Sequence, residues 1–344
     1  MAGWIALLLI GLVAPAGVPT DVPSVWQQDV IACERADTPP EIIISACKVL
    51  LDPGGLAPDQ QAEVLFDLGR GYDLKGEFRR AIANYSAAIN LEPDFAWAYY
   101  NRARAHYAQG DYNDAIADND AALRLRPDDE SALNNRGIAW FGKGNLDRAI
   151  ADFDHAIRVN PRIAAPFYNR GFAFFRTGQY DRAAADFGAY ISLAPQSADG
   201  FGARGAAWLR MHDSARAMTD FDQAIALEPD NAALYSLRGA GWFDAGDFAH
   251  AIADFDKAVE RNPDDPETFD RRGIAFSAQG DRRRAIADYE RAIALDPGDE
   301  VAVANLCLAR TANAGGNTSD CKTPPTPSAE RTAAPALIEA IPKP

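Results

Sequence analysis

The stretch Gly137-Ile138-Ala139-Trp140-Phe141-Gly142-Lys143-Gly144 stands one residue away from G-x-x-x-x-G-K-[ST], the loop whose backbone N–H groups cradle phosphates. Gly144 occupies the place of the Ser or Thr that would hold Mg²⁺. Such a loop must also join a strand to a helix N-terminus, whereas Gly137 falls within Leu133-Arg136-Gly137-Trp140, an apolar pattern of helical period. No nucleotide chemistry is expected there. The chain has no G-x-S-x-G elbow, no H-E-x-x-H and no cysteine beside a plausible base in a recognisable motif. No cysteine pair has C-x2-4-C spacing, and His106, His155, His212 and His250 are scattered. The expectation is therefore no catalytic residue, no metal and no cofactor, in a protein that is not an enzyme.

Four cysteines lie towards the ends, Cys33 and Cys47 in one pair and Cys307 and Cys321 in the other, each pair 14 positions apart. Four cysteines allow three connectivities, and the short separations favour two local bridges, each stabilising by roughly 3 kcal/mol through loop closure. The alternative is four reduced, small apolar side chains. The compartment bears on this choice. Trp4 to Val13 is an apolar run followed by Ala14-Pro15-Ala16, which fits a short export signal with an A-x-A cleavage site, although no Lys or Arg precedes it. The run is too short to span a bilayer comfortably, so a cleaved signal is expected, with an uncleaved anchor as the alternative. Val30-Ile31-Ala32-Cys33 resembles a lipid-attachment box, but the polar Trp26-Gln27-Gln28-Asp29 stands where its hydrophobic segment belongs.

The remaining polar residues recur with a period. Prolines 93, 127, 161, 195, 229, 263 and 297 are each 34 residues apart. Alanine stands twelve residues before each (Ala81, Ala115, Ala149, Ala183, Ala217, Ala251, Ala285) and an aromatic eight before, except at Asn119. Counting position 1 as 31 residues before the proline, position 8 is glycine in every repeat but the second, which has Ala103, and position 11 is aromatic except at His106. Position 7 is arginine in repeats two to seven (Arg102, Arg136, Arg170, Arg204, Arg238, Arg272), and position 23 is aspartate in the same six (Asp118, Asp152, Asp186, Asp220, Asp254, Asp288). Repeat one has Leu68 and Asn84 instead, so both residues change together. The Arg and Asp are expected to pair, within a unit or across neighbours, as a charge-assisted structural ladder.

This pattern resembles the tetratricopeptide repeat family over seven units, residues 62–299. The implied fold is all-α: an α-solenoid, or superhelix, of antiparallel helix pairs. The apolar periods agree, since each unit carries two helical patterns split by a turn such as Gly144-Asn145, and no single hairpin can bury its apolar face alone. Small residues at positions 8 and 20 allow close helix approach, aromatics at 11 and 24 fill the space beside it, and the proline ends the second helix. Around the repeats we expect a signal peptide at 1–16, a divergent helical hairpin cap at 17–61 with Cys33 and Cys47 facing across Asp37-Thr38-Pro39-Pro40, and a capping helix with linker at 300–321. A disordered Pro/Thr/Ala-rich tail is expected at 322–344.

The resemblance also implies a function. In the family, first-helix positions 2, 5, 6, 9, 12 and 13 face an inner groove where extended peptides bind. Those positions hold Trp97, Tyr100, Asn101, Arg104 and Tyr107 in repeat two and Asn134, Asn135, Ile138 and Phe141 in repeat three. Repeat four has Tyr168, Asn169, Phe172, Phe175 and Arg176, and repeat five adds Arg210. Asn101, Asn135 and Asn169 at position 6 resemble an asparagine ladder for a peptide backbone, the rings are apolar anchors, and the arginines suit acidic groups. The family's two-carboxylate clamp is absent, because position 9 carries no Asn and position 2 no Lys. The alternative is that packing between neighbouring helices consumes these side chains. With 49 acids against 34 bases, a formal charge of −15 disfavours nucleic acid and anionic lipid. The expectation is a periplasmic or secreted scaffold for a protein or peptide partner, without stable membrane insertion once the signal is removed. A structural or assembly spacer is the runner-up.

Overall fold

The computed structural model describes residues 24–35, 37–52 and 55–311. The segments read above as signal peptide and tail, and Cys321, lie outside them. The described residues form seventeen α-helices and no strand, packed as consecutive pairs: the fold is all-α, an α-solenoid. They fall into two compact units, the first ending at Val159 and the second starting at Asn160.

In the first unit, α1 (Ser24–Glu34) and α2 (Pro40–Leu51) pair, followed by α3 (Pro58–Leu74) with α4 (Phe78–Leu91), α5 (Ala96–Ala108) with α6 (Tyr112–Leu125), and α7 (Glu130–Gly142) with α8 (Leu146–Val159). Helix α3 begins ahead of the expected residue 62, with Pro58 at its first turn, where a missing N–H costs nothing. Cys33 and Cys47 form a disulfide joining α1 to α2, with both residues fully buried. Gly137 is inside α7 and Gly144 is the turn after it, at φ +79°, so the phosphate-loop resemblance dissolves into a helix and its C-terminal turn.

In the second unit the pairs are α9 (Ala165–Arg176) with α10 (Tyr180–Leu193), α11 (Ala198–Arg210) with α12 (Ser214–Leu227), α13 (Ala232–Asp244) with α14 (Phe248–Arg261), and α15 (Pro266–Ala278) with α16 (Arg282–Leu295). Helix α17 (Glu300–Thr311) packs on α16 and carries Cys307, which is disulfide-bonded.

The repeat columns have direct physical causes. A Cβ built on Gly69, Gly137, Gly171, Gly205, Gly239 or Gly273 would come within 2.6–2.9 Å of the ring at position 24 of its own repeat. The glycine is thus the socket for the ring. Repeat two, with Asn119 in place of the ring, tolerates Ala103. The turn between paired helices needs a left-handed residue, which glycine supplies in six repeats and His212 supplies at φ 60° in the fifth.

The arginine column pairs as expected. Arg102, Arg136, Arg170, Arg204, Arg238 and Arg272 each donate two hydrogen bonds to the aspartate of the same repeat, from Nε at 2.7–2.9 Å and from Nη2 at 2.6–2.8 Å. The aspartates are buried. A third bond runs from Nη1 to the second helix of the preceding repeat, reaching Ser86 from Arg102, Asp120 from Arg136, Asp222 from Arg238 and Asp256 from Arg272. The ladder therefore acts both within a repeat and across neighbours. At Arg204 the corresponding preceding residue is Gly188, which offers no side chain.

Candidate functional site

The first helices α3, α5 and α7 lie side by side in the first unit. Trp97 is 47% exposed, meets Tyr100 edge-on at 5.7 Å, and carries the Arg126 guanidinium 4.7 Å above its ring. Tyr100, Asn101, Arg104, Tyr107 and Asn134 are half-buried. Asn101 donates to the Trp97 carbonyl at 2.8 Å and accepts from Arg104 at 3.4 Å, so its amide oxygen and nitrogen are both partly engaged within α5. Tyr107 packs on Tyr112 at 5.3 Å. Asn135 is buried, and among the described residues its amide nitrogen has no hydrogen-bond partner.

The structure moves several expected groove residues into the core. Ile138 and Phe141 in the first unit are buried. In the second unit Tyr168, Asn169, Phe172 and Phe175 are buried too: Tyr168 packs on Phe172 at 4.8 Å and Tyr190 at 4.6 Å, Phe172 on Phe187 at 5.2 Å, and Phe175 on Tyr180 at 5.2 Å. Those rings pack on one another and on the rings of α10, and are not available as exposed anchors. Arg176 stays exposed, and Arg210 donates to the Tyr180 hydroxyl at 2.7 Å. The asparagine column is accordingly not uniform, since Asn101 is half-buried while Asn135 and Asn169 are buried.

Sequence reasoning missed the charged end of this face. Asp67 occupies position 6 of repeat one, the column that is Asn in the next three repeats. It is buried and sits 3.0 Å from Arg70. Arg70 also donates to the carbonyls of Cys33 at 3.1 Å and Glu34 at 2.9 Å, groups that the C-terminus of α1 leaves unsatisfied. Asp73 lies 3.9 Å from Arg104. The departure of position 6 from its own column was the available signal.

Burial pushes the Asp67 carboxyl up to about 7, against the lowering effect of Arg70 and with help from Glu34 and Glu63. The unfolded chain releases that proton in the ordinary carboxylate range, near about 4. Between those values the native state binds more protons, so this group makes stability fall as pH rises from about 4 to about 7. Asp67→Asn restores the residue of the neighbouring repeats and removes the penalty. The variant is expected to match the parent near pH 4 and exceed it by a few kcal/mol at pH 8, since each tenfold difference in proton affinity between the folded and unfolded chain is worth about 1.4 kcal/mol. Urea unfolding at several pH values checks this; parallel profiles for the two proteins would refute it.

Profiles described as TPR repeat or tetratricopeptide repeat match residues 69–110, 96–129, 134–198, 203–266 and 266–299. The chain is a tetratricopeptide repeat protein. Among solved structures, a tetratricopeptide repeat protein from Parabacteroides merdae aligns with a TM-score of 0.59 at 22% identity, covering 73% of this chain and 99% of that one. The pilF protein of Pseudomonas aeruginosa aligns with a TM-score of 0.52 at 16% identity, covering 59% and 93%. Both are likenesses of fold. No curated protein matches the sequence significantly. The tetratricopeptide repeat fold is that of a protein–protein interaction scaffold, generally a non-catalytic one. Among the described residues, no helix is long and apolar enough to cross a membrane.

Proposed function

We propose that this tetratricopeptide repeat protein captures an extended peptide or protein segment along α3, α5 and α7 of its first unit, without catalysis. The observation that carries the reading is Trp97, a large ring left half-exposed beside Tyr100 while Phe141 and the inner rings of α9 are buried. An exposed aromatic pair costs solvation in the free protein and regains it on burial against a partner, with little rotamer entropy to lose. Arg126 brings positive charge to this aromatic pair in an otherwise acidic chain, which favours a segment carrying a carboxylate. Asn101, half-buried on the same helix, is the row's candidate for its backbone, and Asn135 is buried.

Export to the periplasm or the exterior is part of the proposal. The buried Cys33–Cys47 bridge and the apolar run at the N-terminus support it, because disulfides persist in oxidising compartments. The burial of Tyr168, Asn169, Phe172 and Phe175 favours the second reading, a spacer or assembly role, for the second unit.

The test is affinity capture with the exported protein, followed by mass spectrometry, comparing the parent with Trp97→Ala/Tyr100→Ala and with Arg79→Ala at an exposed site on α4. The expected result is a partner whose recovery falls at least about tenfold in the aromatic variant and is unchanged in the control, the loss typical of an aromatic hot spot. Equal recovery in all three would remove the groove reading and leave the spacer.

A further inference from the structure

Repeat two differs from its neighbours in a way the peptide reading does not use. Elsewhere, position 11 is aromatic and position 19 is Arg or His, and the position-19 side chain lies against the ring. Arg148 sits 4.5 Å from the Trp140 centroid, Arg182 3.8 Å from Phe174, Arg216 3.7 Å from Trp208 and Arg284 4.3 Å from Phe276. In repeat two these positions are His106 and Asp114, so ring and cation have been exchanged together for imidazole and carboxylate.

A third residue joins them. Asp213, Asp247 and Asp281 cap their helices by accepting a hydrogen bond from the backbone N–H three residues on. Asp111, at the same place before α6, makes no side-chain cap bond. Its Oδ2 lies 3.9 Å from Nδ1 of His106, a buried ring nitrogen with no hydrogen-bond partner among the described residues. One ligand atom from each of His106, Asp111 and Asp114 lies within 4.8 Å of the other two. On the far side of the ring, Nε2 faces Oδ2 of Asp118 at 3.9 Å, and Asp118 is held by both donors of Arg102.

We propose that His106, Asp111 and Asp114 bind a divalent transition-metal ion of the zinc type. Neutral imidazole and carboxylates suit such ions, and three protein ligands leave a fourth position for water. The arrangement around His106 follows the outline of such sites: Nδ1 looks towards the Asp111 carboxylate and Nε2 towards that of Asp118, 3.9 Å away and outside direct hydrogen-bond range. The ion explains the exchange of residues. Two carboxylates stand together where the other repeats place a cation, and a divalent charge replaces that cation. The sequence offered only scattered histidines; the pattern H-x4-D-x2-D becomes a cluster because the turn through Gly110, at φ +83°, folds Asp111 and the first turn of α6 back beside the end of α5. The competing account is a protonated His106 paired with carboxylates and no ion.

The full chain, stripped of metal with its disulfides intact, is titrated calorimetrically with Zn²⁺, and with Co²⁺ while its visible absorption is followed. The comparison is His106→Phe/Asp114→Arg, which restores the ring-and-cation pair of the other repeats and should fold. Asp111→Asn, which keeps capping ability, is the second variant. The expected result is one Zn²⁺ whose affinity falls at least about tenfold in each variant, with a low-symmetry Co²⁺ spectrum lost alongside. Circular dichroism verifies the fold. Absence of Zn²⁺ binding by the parent, or binding of equal strength by the double variant, overturns the proposal and leaves His106 as an ion-pair residue.

Discussion

Arg238→Ala is expected to destabilise the second unit by about 3–5 kcal/mol, the typical cost of removing one member of a buried charge pair. Arg238 donates to Asp254 at 2.7 Å from both Nε and Nη2, and the Asp254 side chain is 5% exposed. Alanine leaves that carboxylate buried without its two strongest donors. The bond to Asp222, a side chain 60% exposed, adds little, because solvent screens it. The net worth of the pair is a different quantity. Replacing both residues at once, as Arg238→Met with Asp254→Leu, removes the desolvation cost along with the attraction and is expected to restore most of the loss. Urea unfolding of the parent, Arg238→Met, Asp254→Leu and the double variant closes the cycle. A coupling energy near zero would show that the column is ornamental. Solenoid repeats unfold with partial cooperativity, so the readout should include hydrogen exchange over α13 and α14, where the loss is expected to concentrate.

The fold was legible in the sequence because its causes repeat. Gly137, Gly171 and Gly205 recur because each is the socket for Phe153, Phe187 or Phe221, and a feature imposed by contact at one repeat must reappear wherever the contact does. The Arg–Asp column was legible for the same reason, and repeat one, lacking both residues, marked them as partners. The candidate site was less legible because exposure does not follow the period. Tyr100 and Tyr168 occupy the same position, yet Tyr100 is half-buried beside the exposed Trp97, while Tyr168 is sealed between Phe172, Phe187 and Tyr190. The difference comes from neighbours one turn or one helix away: position 9 is Arg104 in the first case and Phe172 in the second. Family positions specify where a side chain starts, and the bulk around it decides whether it reaches solvent. The residues that depart from their columns, Asp67, His106 and Asp114, were visible as exceptions, but only the folded chain shows which exceptions meet.

Opening the Cys33–Cys47 bridge is expected to release the N-terminal pair of helices at a cost of roughly 3 kcal/mol, the loop-closure value for a ring of about 15 residues. Helix α2 buries Ile43, Ala46, Cys47 and Leu50, and in α1 Cys33 is buried while Ile31 is 52% exposed, so the sulfurs are a substantial part of the contact between them. The pair nevertheless covers the apolar side of α3, where Ile43 and Ile44 sit against Gly71 and join Leu68, Tyr72 and Tyr85 in one core. Arg70 then holds the end of α1 by its carbonyls. Losing the bridge should therefore uncover that core. Cys33→Ser/Cys47→Ser is expected to lower the unfolding midpoint, increase hydrogen exchange through α1, α2 and the adjoining turns of α3, and leave α13 to α16 unaffected. Since α1 and α2 pack over the apolar side of α3, the variant should also bind hydrophobic dyes and self-associate more readily than the parent. If exchange in α3 is unchanged after the double substitution, packing alone secures the cap, and the bridge contributes no more than a tether in the unfolded chain.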